Sequence, residues 1–263
     1  HRTGSLSLSP PELAQAARGT AVPDEALRES YGGKVGALIY TSPGVRLDTS
    51  QPIGLCARAL SFPTTAMDKH ADRILLWQAQ NSAVGITYDG RKPEAGVLKA
   101  YSDSDWAIAH STSGWAIILG GACVGHGSKR QPCVATSSTE AEIIAANQTA
   151  LEVSFFRALL RDMGLEQPDA TPLYVDNSGA VELSRDRKSC NRSRHIDRRF
   201  FKVRELEAAG VVKVTYVPTA LNRADVLTKV LPRPVFEEHT AVLMGHATHQ
   251  EDGSSLTEGG VDG

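Results

Sequence analysis

Several patterns that mark common protein classes are missing from this sequence of 263 residues. Its four cysteines form no C-x-x-C pair, which argues against a zinc site and a disulfide framework and favours a reduced, intracellular compartment. No apolar run approaches the length of a membrane span, and no secretory signal peptide is visible. We therefore expect a protein that has no membrane as a partner.

Net charge is also nearly absent, with 28 Lys and Arg residues against 30 Asp and Glu residues. Any affinity for nucleic acid must therefore come from local clusters of charge. The hydrophobic content of 41% is enough for one sizeable core, or for one core and a smaller module. Because the chain begins with His rather than Met, we expect a fragment or a processed product.

Composition divides the chain into four parts. Residues 1–28 are rich in Pro, Ser, Gly and Ala and are predicted to form a linker or extended arm. Residues 29–97 have helical spacing in "KVGALIYTS" and "HADRILLWQAQ", followed by "TYDGRKP", which is typical of a turn between short strands. Residues 98–243 mix both periods, and the polar, Gly-rich residues 244–263 are predicted to be a disordered tail.

The pattern in residues 98–243 predicts an α/β domain. Three strands form a meander with a turn at Gly120-Gly121, and helices then alternate with strands, which favours a mixed sheet with helices on its faces. The predicted strands are 98–106, 114–119, 122–127, 172–176 and 211–217, and the predicted helices are 138–163, 177–184, a basic helix near 193–209, and 222–229.

Two acids interrupt the first predicted strand, in "AYSDSDWAI". Asp103 and Asp105 are two residues apart and therefore share a face of the strand. A buried carboxylate is costly unless it is paired or coordinates a cation. Asp105 lies near the strand end, where exposure is expected. For Asp103, the spacing is equally compatible with a solvated position on an edge strand.

Two further acids, Glu142 and Asp176, have both a structural and a functional interpretation. Glu140 matches a capping box with Ser137, which leaves Glu142, in the first turn of the same helix, without that role; the helix dipole would still favour a negative charge there. Asp176 ends an apolar strand, where ligands gather in open α/β sheets, but it also suits an N-cap. Asp225, in "LNRADVLTK", is weak evidence alone.

The four acids Asp103, Glu142, Asp176 and Asp225 fit one chemistry when taken together. Two Mg²⁺ ions about 3.5–4 Å apart need several hard oxygen ligands that converge from different elements. Such a pair stabilises both the attacking and the leaving oxygen of an in-line phosphoryl displacement. Metal binding would also explain why an apolar strand tolerates a carboxylate.

Six motifs occur in the order "YSDSDWA", "STSGWAIILGG", "SKRQPCVATSSTEAE", "YVDNSGAV", "RSRHIDRRFFKVRE" and "VPTALNRADVLTK". They closely resemble the ribonuclease H domain of copia-type LTR retrotransposon Pol polyproteins. The upstream pieces "YGGKVGALIY" and "HADRILLWQAQNSAVGITY" resemble the segment that joins the reverse-transcriptase palm to that domain. The resemblance makes residues 29–97 a reverse-transcriptase connection or thumb-like segment and residues 98–243 a ribonuclease H-like domain.

The resemblance implies a five-stranded mixed sheet of the ribonuclease H type and endonucleolytic cleavage of the RNA strand of an RNA–DNA hybrid. It places Asp103 between two Mg²⁺ ions, with Glu142 and Asp176 on one ion and Asp225 on the other; Mn²⁺ also suits these ligands. These four acids are the expected catalytic residues. The implied partners are the hybrid and the upstream reverse-transcriptase palm of the same polyprotein. The implied location is a cytoplasmic particle or the nucleus, not the exterior of the cell.

Basic residues cluster between 185 and 204, where nine Arg or Lys residues accompany two Asp residues. A charge run is often a solvated surface, but beside the third acid of a phosphate-cleaving domain we expect contacts with backbone phosphates. Phe200 and Phe201 are expected in the core, and His195 either contacts phosphate or caps a strand. The residues expected to bind nucleic acid are Arg192, Arg194, Arg198, Lys202, Lys129 and Arg130.

An active ribonuclease H competes with a catalytically inactive, nucleic-acid-binding remnant. Integrases and transposases carry their acids in the order Asp, Asp, Glu, whereas the Glu is second here, which favours a ribonuclease H. The aromatic-x-Asp-Asp motif of polymerases is absent, which argues against reverse transcription by this chain. Retention of all four acids favours the enzyme, whereas the short "IAHSTSG" and the upstream "VRLDT", which lacks a Pro of the family, favour the remnant. His126 also replaces a Trp of the family, and "VPTALNRAD" lacks the His that precedes the last Asp in cellular ribonucleases H.

Overall fold

The computed structural model describes residues 24–91, 94–107, 110–185 and 202–246. The first of these ranges begins with three helices, α1 (Glu25–Val45), α2 (Ser50–Arg58) and α3 (Thr65–Gln80), with a 3₁₀ turn at Leu47–Thr49. The helical pattern predicted for this part of the chain is thus confirmed. None of the helices in the described ranges is long and apolar enough to cross a membrane.

Apolar residues at helical spacing hold the three helices together. Tyr31, Val35 and Leu38 recur on one face of α1 and pack against Met67 and Ile74 of α3. Thr64 fixes the start of α3, since its side-chain oxygen accepts a hydrogen bond from the backbone N–H of Met67. The helical segment therefore has a small core of its own.

The remaining elements form one five-stranded sheet and its flanking helices. The sheet order is β3-β2-β1-β4-β5; β1 pairs antiparallel with β2, as β2 does with β3, while β1–β4 and β4–β5 are parallel. This confirms the predicted α/β fold, a mixed five-stranded sheet of the ribonuclease H type. The elements are β1 (Lys99–Asp105), β2 (Thr112–Leu119), β3 (Ala122–Arg130), α4 (Ser138–Asp162), β4 (Thr171–Val175), α5 (Ser178–Arg185), β5 (Val212–Tyr216), 3₁₀ turns at Thr219–Leu221 and Arg223–Leu227, and α6 (Arg233–Leu243).

The two faces of the sheet bury different partners. On one face, Ala100, Ile117 and Leu173 pack against α4 through Ile143 and Ala150. Because side chains alternate along a strand, Ala116 points to the opposite face. There it joins Leu227, Leu243 and Leu47, the last of which comes from the helical segment. The helical segment and the sheet therefore share a core.

Several boundaries differ from the prediction. Helix α1 begins at Glu25, so residues 25–28 are helical rather than part of an extended arm. "TYDGRKP" contains a turn at 90–91, but the described residues include no short strand before it. Helix α6 was not predicted. Met244, assigned to the tail, is 2% exposed, and its carbonyl accepts a hydrogen bond from the Thr87 N–H.

Candidate active site

Three acids converge at one edge of the sheet. Asp103 lies on β1 and Asp176 directly follows β4, and because these neighbouring strands run parallel their carboxyl ends meet at the same edge. Glu142 reaches the same edge from α4, which packs on β1. Each of the three residues places one carboxylate oxygen within 4.8 Å of the others. Asp103, at 0% exposure, is fully buried rather than solvated.

Helix capping separates Glu140 from Glu142. The Glu140 N–H donates to the Ser137 side chain, and the Glu140 carboxylate accepts from the N–H and hydroxyl of Thr136, each at 2.7 Å. The capping box thus exists, although the Glu reaches one residue further back than predicted. Glu142 lies in the second turn of α4, not the first, so the helix dipole does not explain it.

The Glu142 carboxylate is held on one side and left open on the other. The Ser104 N–H and hydroxyl donate to Glu142 Oε1 at 3.2 and 2.9 Å. The second oxygen, Oε2, is buried, and no partner within the described residues forms a hydrogen bond with it. A buried acceptor without a partner is costly, so this oxygen favours a cation in the cluster.

Asn177, not Asp176, caps the helix that follows β4. Asn177 Oδ1 accepts from the Ala180 N–H at 2.9 Å, so the N-cap interpretation of Asp176 is wrong. Burial raises the pKa of the Asp176 carboxylate, and the nearby Thr219 side chain acts in the opposite direction. Asp176 is therefore available to the acidic cluster.

Lys229 links Asp225 to Asp103, and this lysine was not among the predicted site residues. Lys229 Nζ lies 3.0 Å from Asp103 Oδ1 and 3.1 Å from Asp225 Oδ1. The Thr228 hydroxyl donates to the other Asp103 oxygen, Oδ2. The Asn222 side-chain amide anchors this turn to β1 by donating to the Ser102 carbonyl at 3.0 Å. A signal for Lys229 exists in the sequence, since it follows Asp225 by four residues.

Burial, reinforced by mutual repulsion, raises the pKa values of the acids at the site. Burial, together with the charges of Asp103 and Asp176, raises the pKa of Glu142 to about 9. Burial and the Asp103 charge raise the pKa of Asp225 to about 7 although Lys229 acts in the opposite direction, and they raise the pKa of Asp176 as well. Clustered carboxylate oxygens that resist ionisation in each other's presence are the donor set that a divalent cation prefers.

Asp105 stays outside this cluster. It is half-buried rather than exposed, and its carboxylate accepts a hydrogen bond from the Thr112 N–H across the β1–β2 pair. Burial raises its pKa. Arg58 of α2 donates to the Thr112 hydroxyl at 3.0 Å, which brings a cation from the helical segment to this edge of the sheet. Nothing in the sequence indicates Arg58, because its position depends on how α2 packs against the sheet.

Three of the six predicted nucleic-acid-binding residues lie among the described residues. Lys129 and Arg130 are exposed at the end of β3. Lys202 is half-buried in a helical stretch at 202–208, and its Nζ lies 3.1 Å from Glu205 Oε1. The remaining predictions lie outside the described residues: Arg192, Arg194, Arg198, His195, Phe200 and Phe201.

No protein-family model matches the chain. Similar sequences do occur among curated proteins. The Pol polyprotein from transposon TNT 1-94 of Nicotiana tabacum is 33% identical over 211 residues, which is 79% of this chain and 16% of the relative. Those from transposons RE2 and RE1 of Arabidopsis thaliana are 32% and 31% identical over 83% and 81% of this chain. The chain thus spans about 15% of the length of these three relatives.

Solved structures of ribonucleases H1 are similar to half of this chain. Ribonuclease H1 of Halobacterium salinarum NRC-1 is 22% identical, with a TM-score of 0.40, over 50% of this chain and 93% of that protein. LC11-RNase H1, in complex with an RNA/DNA hybrid, is 16% identical with the same TM-score and the same coverage.

The sequence relatives are Pol polyproteins of the kind that the six motifs resemble. The chain belongs to the copia-type Pol polyproteins of retrotransposons.

Proposed function

We propose that this chain is the ribonuclease H part of a retrotransposon Pol polyprotein and cuts the RNA strand of RNA–DNA hybrids with the help of divalent metal ions. The observation that carries the proposal is the convergence of Asp103, Glu142 and Asp176 within 4.8 Å, with Asp225 joined to Asp103 through Lys229. A structural role accounts for Glu140, whereas the second oxygen of Glu142 has no hydrogen-bond partner among the described residues.

The acids would hold the metal ions on both sides of Asp103. Glu142 and Asp176 fit one ion, with the open Oε2 of Glu142 as a ligand, and Asp225 fits the other. When bound, two such ions stabilise the charge that develops on the attacking and leaving oxygens of a phosphodiester. Ser104 and Thr228 keep the carboxylates of Glu142 and Asp103 in place by donating hydrogen bonds.

Basic residues at the same edge would bind the nucleic acid. Lys129 and Arg130 of β3 and Arg58 of α2 present positive charge beside the acidic cluster and would contact backbone phosphates. Recognition would follow groove shape and 2′-hydroxyl groups rather than base sequence. The reverse-transcriptase palm of the same polyprotein would deliver the hybrid, inside a cytoplasmic particle or the nucleus.

Cleavage of an end-labelled RNA–DNA hybrid in Mg²⁺ tests this function, with Asp176→Asn as the inactive variant. Asp169→Asn is the matched control, because Asp169 is an exposed acid away from the cluster. We expect metal-dependent cuts in the RNA strand for the unmodified chain and the control, and at least about a hundredfold loss for Asp176→Asn. Tight hybrid binding without cuts by the unmodified chain would instead identify an inactive, nucleic-acid-binding remnant.

A further inference from the structure

A lysine occupies the space between two acids that would share an ion. Lys229 Nζ lies 3.0 Å from Asp103 Oδ1 and 3.1 Å from Asp225 Oδ1, while these side chains are 0% and 7% exposed. The Lys229 side chain itself is 34% exposed, so it can leave this position without unfolding the protein. Its methylene stem ends in a compact ammonium, which is the charge that two neighbouring carboxylates need.

The opposite side of Asp103 is different. Glu142 Oε2 has no hydrogen-bond partner among the described residues, and one carboxylate oxygen from each of Asp103, Glu142 and Asp176 lies within 4.8 Å of the others. In this structure the acidic site is therefore asymmetric: one half is neutralised by a side chain of the protein and the other half is not.

We propose that Lys229 is a built-in competitor for the second divalent ion, so that the two ions bind with unequal affinity and the second binds only after the ammonium has moved away. The proposal rests on the proposed function, since it assigns the second ion to Asp103 and Asp225. It makes Lys229 a positioning residue: its ion pairs hold the turn at 223–227 against β1 until the second ion and the substrate arrive.

Mn²⁺ binding to the full chain tests the competition directly, by isothermal titration calorimetry and by counting bound ions from the spin-resonance signal. The variants are Lys229→Met, which removes the charge, and Lys229→Arg, which keeps it. Lys213→Met is the matched control, because Lys213 is an exposed lysine on β5. Thermal melting in a chelator verifies that each variant is folded, and Lys229→Gln replaces Lys229→Met if the latter is not.

We expect one tight and one weak ion for the unmodified chain, for Lys229→Arg and for Lys213→Met. In Lys229→Met the second ion should bind on the order of tenfold tighter, because a charge-assisted hydrogen bond no longer has to be broken. A purely structural lysine predicts the opposite: Lys229→Met would melt earlier and bind the second ion no better, and that result would overturn the proposal.

Failure of this inference and failure of the proposed function give different results. If the chain cuts hybrids but Lys229→Met leaves the second affinity unchanged, only the competition is wrong. If Lys229→Met tightens the second ion and no variant cuts a hybrid, the competition stands and the nuclease assignment falls. If neither the chain nor Lys229→Met binds Mn²⁺ at millimolar concentration, the competition is overturned.

Discussion

The residues around Asp103 show how a fully buried carboxylate is tolerated. Both of its oxygens have donors, Lys229 and Thr228, which is the condition under which burial of a charge is affordable. Glu142, 6% exposed, lacks a partner on one oxygen and lies near two other acids. Without a bound cation, the free-energy cost of burying charge at this site therefore falls on Glu142 rather than on Asp103.

The stability of the metal-free protein should consequently fall as the pH rises. The pKa of Glu142 is raised in the folded chain to about 9 from an ordinary value of 4.5, so its contribution to stability is complete below about pH 4.5 and is lost as the pH approaches 9. Asp225, with a pKa near 7, acts in the same direction. In a chelator, the melting temperature should drop between pH 6.5 and 9. The drop should be about 2–4 °C for each kcal/mol by which the free energy of unfolding decreases.

Glu142→Gln isolates this effect. The neutral amide should flatten the pH dependence above pH 6.5 and abolish much of the stabilisation that Mg²⁺ gives the unmodified chain at pH 8. His126 and His239, whose pKa values are lowered by burial, reduce stability only below about pH 6.5, where the unfolded chain takes up protons more readily than the folded chain. An equally steep pH dependence in Glu142→Gln would contradict the assignment.

Gly114 allows the turn that carries Asp225 to approach β1. It pairs with Asp103 across the β1–β2 ladder, and a Cβ added there would lie 2.6 Å from Thr228 Cγ2 and 3.2 Å from the Ala224 carbonyl. Gly114→Ala should therefore shift this turn, with a loss of about 1–3 kcal/mol in the free energy of unfolding and weaker metal binding. Urea denaturation and Mn²⁺ titration check this; Gly32→Ala, where the added Cβ meets nothing within 4 Å, is the control.

At the scale of elements, His126 joins β3 to the helical segment. Its Nε2 lies 3.2 Å from the Ser42 carbonyl of α1, and its Nδ1 lies 3.2 Å from the Ser50 hydroxyl of α2. Since the carbonyl can only accept, Nε2 carries the proton and the neutral Nδ1 accepts from Ser50. The residue that replaces a Trp of the family thus has a defined role in packing.

His126→Ala should lower the free energy of unfolding by about 1–3 kcal/mol, because Ser42 and Ser50 lose a buried partner. The loss should be larger at pH 7 than at pH 5, where the unmodified chain is already less stable because His126 binds a proton more readily when the chain is unfolded. Thermal melts at both pH values measure it, with Tyr40→Ala as control, since Tyr40 is 88% exposed. Equal melting of His126→Ala and the control would show that this contact does not stabilise the packing.

Elements with local signals were predictable from the sequence, and features that depend on packing were not. Helix α4 was predicted within a residue because Ser137 is a clear N-cap. The β2–β3 hairpin was predicted from the Gly120-Gly121 pair, and these residues do take positive φ angles of 65° and 75°. Helix α6 was not predicted, since Pro234 within a helical pattern usually indicates the end of a helix. Here Pro234 lies in the first turn, where a helix tolerates proline. The ion pair between Lys229 and Asp103 joins positions 126 residues apart, which no local pattern shows.

At the scale of the whole molecule, the shared core links the two predicted parts of the chain. Leu47, from the helical segment, is fully buried among Ala116, Leu227 and Leu243. The predicted division at residue 97 would separate Leu47 from these partners. We therefore expect the helical segment and the sheet to unfold together, because exposing this apolar surface is costly for both.

Tryptophan fluorescence can follow the two parts separately, since Trp77 lies in α3 and Trp115 in β2. In variants that lack Trp106 and keep only one of these two tryptophans, the urea midpoints should coincide. Leu47→Ala should lower both midpoints together. The corresponding loss in the free energy of unfolding should be about 2–5 kcal/mol, as expected for a truncated core leucine. Leu60→Ala, at a position that is 39% exposed, should change either midpoint far less. Distinct midpoints, with only the Trp77 signal sensitive to Leu47→Ala, would instead mean that residues 29–97 and 98–243 fold as independent domains.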